Sequence, residues 1–198
     1  HDMYATFMAK PHANEPGSSM HIHQSVLDIR SGKNIFSGKD GKPSKYFLNH
    51  IGGLQRYLAA ALPMCAPNVN SYRRLVPDSD APTNVHWGID NRTVSLRVPS
   101  SDPSNLRLEN RVPGADANPY LAFAASLACG YLGMIERIKP SEPVEGSAYR
   151  YAHTLPINLE EALDKLNYTK PLKQVLGEKF VEVASFLFGM GFLFFLII

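Results

Sequence analysis

Net charge is nearly absent from this chain: 20 Lys and Arg against 18 Asp and Glu leave a formal +2 over 198 residues, with no contiguous basic run. That balance argues against a nucleic-acid partner, whose phosphates demand a concentrated cationic surface. Cysteine is scarce too. Cys65 and Cys129 each sit in an apolar context without metal-type spacing, which excludes a disulfide framework or a cysteine zinc site and fits a reducing cytoplasmic setting. No internal repeat, domain linker or secretory leader is legible, so a solenoid and a multidomain array drop out. What remains is ordinary globular material, 44% hydrophobic and 19% charged.

Both ends are unusual. The chain opens at His1 and reads as the later part of something longer, with Tyr4 to Met8 as a first strand. Ala184 to Ile198 is an apolar run with Gly and Ser that shows no clear periodicity and falls short of the ~20 residues a membrane span needs. It is expected to be an atypical tail from a truncated or shifted frame, leaving residues 1–183 as the domain and making a membrane location the lesser expectation.

Between the ends the pattern predicts one α+β unit, an antiparallel sheet with flanking helices. Ser19 to Ile29 reads as a strand, followed by an exposed hairpin tip with turns at Ser31-Gly32, Ser37-Gly38 and Asp40-Gly41 around Ile35-Phe36. Ser44 caps a helix through about Leu62, which Pro63 and Pro67 end. Asn70 to Arg74 and Val76 to Pro82 form a constrained loop. Thr83 to Ile89, Thr93 to Val98 and Asn105 to Arg111 read as an antiparallel meander. Asn118-Pro119 starts a helix to about Ile138, apolar almost all round and therefore expected to be buried. Asn158 and Glu161 begin a last amphipathic helix.

Two strands carry the chemistry. Alternation places Met20, Ile22 and Val26 on one side and His21, His23 and Ser25 on the other, and it sets Arg107, Glu109 and Arg111 side by side opposite leucines. Two arginines around a carboxylate would be costly in a packed core, because each buried charge needs its own partner. Such a face suits an anionic or metal-bearing guest.

Ala5 to Pro11, Gly17-Ser18-Ser19-Met20-His21-Ile22-His23-Gln24-Ser25, Asn70-Ser71-Tyr72-Arg73-Arg74-Leu75-Val76-Pro77, Asn91-Arg92, Arg107-Leu108-Glu109-Asn110-Arg111 and Asn118-Pro119-Tyr120-Leu121 together resemble the catalytic domain of glutamine synthetases, over roughly residues 4 to 180. Trp87-Gly88 and the Gly114 to Pro119 segment are most similar to the γ-glutamylpolyamine synthetase branch. The resemblance implies an ATP-dependent ligase: ATP phosphorylates the glutamate γ-carboxylate, and ammonia or an amine such as putrescine displaces the phosphate. It implies that His21 and Glu109 hold Mg²⁺ or Mn²⁺, and that His23, Ser25, Arg97 and Arg107 contact ATP. Gly17, His21, Arg74 and Arg111 would contact glutamate, while Arg92 and Arg111 would stabilise the transferring phosphoryl group. Planar guanidinium forks suit that work. It also implies a homo-oligomer, and a metal site completed by glutamates outside this chain, so that the chain alone is expected to show no turnover.

Some positions depart from the family. Asp80 stands where ammonia-using members carry a flap glutamate that accepts an amine proton; its shorter side chain withdraws the carboxylate and leaves room for a substituted amine. Ser104 replaces a common lysine, and Pro16 replaces an active-site asparagine. Tyr149 matches a tyrosine that some bacterial members nucleotidylate. A non-catalytic relative of the same fold and a guanidino kinase-like phosphotransferase are the competing readings. The His-x-His strand and the Asn-Arg motif favour the ligase.

Overall fold

The computed structural model describes residues 1–197, with side-chain surroundings through Met190; Ile198 of the apolar tail lies outside the described residues. Four short strands, β1 (Ile22–Gln24), β2 (Trp87–Ile89), β3 (Leu96–Val98) and β4 (Leu108–Asn110), form one sheet in the order β1-β4-β3-β2. β4 pairs antiparallel with both β1 and β3, whereas β2 and β3 run parallel. The expected antiparallel meander is thus corrected to a mixed sheet. The cause is the loop after β2: Asp90 takes φ 48°, and Asn91 Nδ2 fixes the turn to the carbonyls of Val144 (3.1 Å) and Gly146 (2.7 Å). The chain therefore re-enters beside the start of β2 instead of folding back from its end.

Among the described residues seven α-helices accompany the sheet: α1 (Lys45–Tyr57), α2 (Leu62–Cys65), α3 (Val69–Tyr72), α4 (Pro119–Glu136), α5 (Leu159–Tyr168), α6 (Lys170–Leu176) and α7 (Glu178–Ile197). Ser44 caps α1 as expected, accepting from Phe47 N at 3.2 Å while donating to Ile35 O at 2.6 Å. That second bond draws the preceding turn inward. Phe36, expected at an exposed tip, is consequently fully buried, 4.7 Å from the Phe47 ring. Pro63 does not end a helix but occupies the first turn of α2, where its missing N–H costs nothing. Part of the expected Asn70 loop is the short helix α3.

α1 lies along α4 at unusually close range, because a Cβ at Gly53 would fall 2.6 Å from the Gly133 backbone. α4 starts at its Asn118 cap, whose side chain accepts from Tyr120 N and Leu121 N. It is not buried all round: small residues such as Ala122, Ala125 and Gly130 face inward, leaving Tyr120, Leu127 and Tyr131 exposed. Tyr4 to Met8 forms no strand. Those residues are exposed, and a tie to the rest of the fold comes from Lys10, which exchanges two 2.9 Å bonds with the Asn70 side chain.

Asn158 caps α5 through Glu161 N at 2.8 Å, yet α5 is not the last helix. α6 and α7 follow, and the run from Ala184 continues α7 without a break, burying Val181 and Ala184 and exposing Phe186 and Leu187. Packing of Val181 and Ala184 against the rest of the chain seats the helix without a strong amphipathic pattern. Among the described residues no helix is long and apolar enough to cross a membrane.

One buried group sets an acid limit on the fold. His50 on α1 is 1% exposed, lies with its ring tilted against Phe36 at 5.0 Å, and has no hydrogen-bond partner for either ring nitrogen. Burial lowers its pKa to about 4. Because the unfolded imidazole takes up a proton near pH 6.5 and the folded one only near 4, stability is full above pH 6.5 and declines as pH falls toward 4. The loss is about 3 kcal/mol at ~1.4 kcal/mol per pH unit. Urea unfolding should show a steeper slope in the parent than in His50→Leu, whose remaining pH dependence comes from His21, also lowered to about 4; equal slopes in both would clear His50 of the effect.

Candidate active site

The sheet register builds the site. His23 on β1 and Arg97 on β3 are the cross-strand neighbours of Glu109 on β4, so their side chains share one face. Glu109, only 3% exposed, is the centre. Its Oε1 accepts from Arg111 Nη1 at 2.9 Å and lies 3.0 Å from His21 Nδ1, while Oε2 accepts from Arg97 Nη1 at 2.8 Å. Arg97 reaches on through Nη2 to Asp90 Oδ1 at 2.9 Å, an oxygen that also accepts from Ser100 N at 3.0 Å.

These contacts set the charge states. Burial would push the Glu109 carboxyl up, but the hydrogen bond from Arg97 and the charges of Arg111, His21 and Arg97 hold it below the usual carboxylate range. Burial, helped by Arg111 and opposed by Glu109, draws His21 down to about 4. The imidazole is then neutral near pH 7, so its 3.0 Å contact with Glu109 is not an ion pair, and a neutral imidazole keeps one ring nitrogen as a lone-pair donor for a ligand.

Two further groups point to an anionic guest. The Nε–H donors of Arg97 and Arg111 are buried and have no acceptor. Such unmade bonds are costly unless a ligand completes them, and carboxylate or phosphate oxygens are the natural acceptors for a guanidinium fork. For a divalent ion, the His21 imidazole and the remaining lone pair of Glu109 Oε2 are two protein donors, and no cluster of three or more His, Cys, Asp or Glu occurs among the described residues. Two donors fit Mg²⁺ or Mn²⁺, since Mg²⁺ keeps several waters and takes phosphate oxygens beside one or two protein ligands. They do not make a closed cage.

The other expected residues fall around this cluster. His23 and Ser25 are exposed on the same side of the β1 segment, and the register carries Ser25 toward Arg107. Arg107 is half-buried and donates to Asn105 O at 3.3 Å. Arg92, exposed on the loop after β2, lines a cavity of about 690 Å³ with Asn91, Thr93 and Gly146, and its charge reaches Asp90. Asp80 lines a separate cavity of about 330 Å³ with Pro16 and Glu15, which brings two of the departures from the family pattern together. Ser104 lies apart on an exposed turn, its carbonyl accepting from Asn34 at 3.2 Å.

Arg74 is placed differently from an open substrate clamp. Its guanidinium, 2% exposed, donates to the carbonyls of Val112 and Arg111 at 2.9 Å each and of Pro113 at 3.4 Å. Burial lowers its pKa to about 10, so it stays cationic. It steadies the chain leaving β4, where Arg111 sits. Gly17 packs on its stem: a Cβ there would fall 2.8 Å from Arg74 Cγ and 2.7 Å from Ala9 O.

Two supports were not anticipated from sequence. Asp90 holds Arg97 at 2.9 Å from the connection after β2, which the strand pattern leaves unmarked; its place before Asn91 at the strand exit is the available signal. Behind the sheet, Asn110 Nδ2 donates to Ser126 Oγ (3.1 Å), which donates to Gln24 Oε1 (2.6 Å), all three buried. This chain ties β4 and β1 to α4 directly behind Glu109. Gln24 and Ser126 sit in apolar patterns with no sequence mark of the partnership.

A mixed-sheet α+β domain with a buried carboxylate shared by a neutral histidine and two arginines is equipped to handle carboxylate and phosphoryl groups. Comparison with known proteins narrows that class. Residues 1–186 match the model of the glutamine synthetase catalytic domain, and the chain belongs to the glutamine synthetase family. It is 41% identical to a glutamine synthetase of Pyrococcus abyssi, covering 91% of this chain and 42% of the relative. It is also 41% identical to the gamma-glutamylputrescine synthetase of Escherichia coli, covering 92% and 39%, and 40% identical to a glutamate–isopropylamine ligase of a Pseudomonas species, covering 92% and 41%. The chain thus spans about two fifths of the length of these relatives. A solved structure described as apo GmaS without ligand superposes with a TM-score of 0.85 at 31% identity, over 96% of this chain and 44% of that one.

Proposed function

We propose that this chain supplies the glutamate- and phosphate-handling face of an ATP-dependent γ-glutamyl ligase. The observation that carries the reading is the Glu109 centre, where His21, Arg97 and Arg111 converge within 3.0 Å and two buried guanidinium donors await an acceptor. Arg97 and Arg111, locked by Glu109, present fixed positive charge to the phosphoryl oxygens and to glutamate, and Arg92 adds charge from the neighbouring loop. Phosphoryl transfer depends on such positioning and neutralisation. His21 and Glu109 would hold Mg²⁺ or Mn²⁺, which would supply neutralising charge for the ATP phosphates. A non-catalytic relative would have no use for acceptor-free buried guanidinium groups. A cytoplasmic setting, a family-type homo-oligomer, and ATP, glutamate and an amine as partners belong to the same reading.

The amine is the finer part of the proposal. Asp80 keeps the carboxylate that accepts the amine proton but shortens it, beside a cavity shared with Pro16. A substituted amine such as putrescine is the preferred nucleophile on this reading, in keeping with the similarity to two amine-using ligases. The full-length protein, supplied with ATP, Mg²⁺ and glutamate, is assayed with ammonia and a panel of amines. Putrescine or another amine should exceed ammonia in kcat/KM, and Asp80→Glu should shift the ratio toward ammonia by roughly tenfold, the scale of one methylene. No glutamate-dependent ATP consumption with any nucleophile would overturn the ligase reading. An unchanged ratio in Asp80→Glu would overturn only the amine assignment.

A further inference from the structure

The flap that carries Asp80 is tied down at both ends. At its start, Ser79 Oγ donates to Arg74 O at 2.8 Å, and the turn is tight, with Asp78 and Asp80 at φ 56° and 57°. At its end, Tyr149 OH donates to Ala81 O at 3.1 Å. Beyond it, Thr83 O accepts from Thr154 N and Leu155 N at 3.0 and 3.2 Å, and Asn84 Nδ2 donates to Ala148 O at 3.0 Å. The same segment grips the Arg92 loop, through Ala148 N to Thr93 Oγ1 at 2.8 Å and through Asn91 to Val144 and Gly146. Residues 144–155 therefore form a strap joining the two loops that hold Asp80 and Arg92.

Within this strap Tyr149 alone places a side-chain hydroxyl on the flap backbone. It is half-buried, and burial together with the charges of Asp80 and Asp78 raises its pKa, so the hydroxyl remains a donor through neutral pH. Arg111 opposes that rise, so the phenol lies within electrostatic reach of the Glu109 centre.

We propose that Tyr149 is a positioning residue whose hydroxyl holds the Asp80 flap over the site, so that the activated glutamate is passed to an amine and not to water. The proposal rests on the ligase reading above. In the productive step the amine nitrogen bonds to the γ-carbonyl carbon of γ-glutamyl phosphate, the carbon–oxygen bond to the phosphoryl group breaks, inorganic phosphate leaves with the electron pair, and Asp80 takes the proton from nitrogen. In the wasteful step water adds to the same carbon, and glutamate and phosphate are released with no amide.

The experiment compares the full-length parent with Tyr149→Phe in two measurements. Hydrogen exchange, which needs no turnover, should run at least tenfold faster at residues 76–84 and at the Thr154 and Leu155 amides of the variant. Phosphate released per amide formed should rise from one in the parent to two or more in the variant, with ATP consumption within twofold of the parent and KM for the amine raised. General unfolding would lower both products together and leave the ratio at one. Unchanged exchange overturns the latch. Faster exchange with a ratio of one makes the bond merely structural and overturns the positioning role. A parent that consumes no ATP with glutamate removes the ligase reading, and this proposal with it.

Discussion

Glu109→Gln is expected to end metal-dependent turnover and to weaken the fold at the same time. Glu109 is 3% exposed and neutralises Arg97 and Arg111 while orienting His21. The amide keeps the shape but loses the charge, and its NH₂ must face a donor. Removing one partner from a buried ion cluster costs on the order of 3–5 kcal/mol, and the solvent reaching Arg97, 20% exposed, places the loss at the lower end. Amide formation should fall below detection at any Mg²⁺ or Mn²⁺ concentration, while urea unfolding shows a cooperative but earlier transition. Activity restored by added metal, together with unchanged stability, would take Glu109 out of the centre.

Arg111→Lys tests the other half of the site. Arg111 uses Nη1 on Glu109 and keeps a buried Nε–H without an acceptor, so one side chain can hold the carboxylate and still donate to a developing anion. A lysine ammonium can be bonded to Glu109, yet it cannot also present a second donor at the fixed angle of the fork. The expected loss in kcat is on the order of 10², the scale seen when a preorganised donor is removed, with KM for glutamate and ATP little changed. Steady-state kinetics decide it: a raised KM with kcat intact would make Arg111 a ground-state binder. Arg92, exposed on its loop, should show a smaller effect.

Much of the site was legible because it lies on strands. Period-2 alternation places His21 with His23 and Glu109 with Arg111 independently of how the strands pair. Caps were legible for the same local reason: Ser44, Asn118 and Asn158 each bond to an amide two or three residues along the chain. The parallel pairing of β2 and β3 was not, since it depends on Asn91 finding carbonyls more than fifty residues away. Phe36 likewise reads as a turn neighbour until the Ser44 hydroxyl draws it against Phe47.

Arg74 marks the division most sharply. Its residue type and motif pointed to a carboxylate partner, whereas the fold gives it the carbonyls of residues 111–113, because the turn after β4 passes where its guanidinium ends. Local periodicity and capping by themselves determined which residues form the polar face and where the main helices begin, since those signals need only near neighbours in sequence. Tertiary structure alone decided that Glu109 unites His21, Arg97 and Arg111, and that Tyr149 meets the Asp80 flap. Each of those partnerships joins segments whose separation no local pattern encodes, and each is stabilised by burial and charge that exist only once the chain has closed on itself.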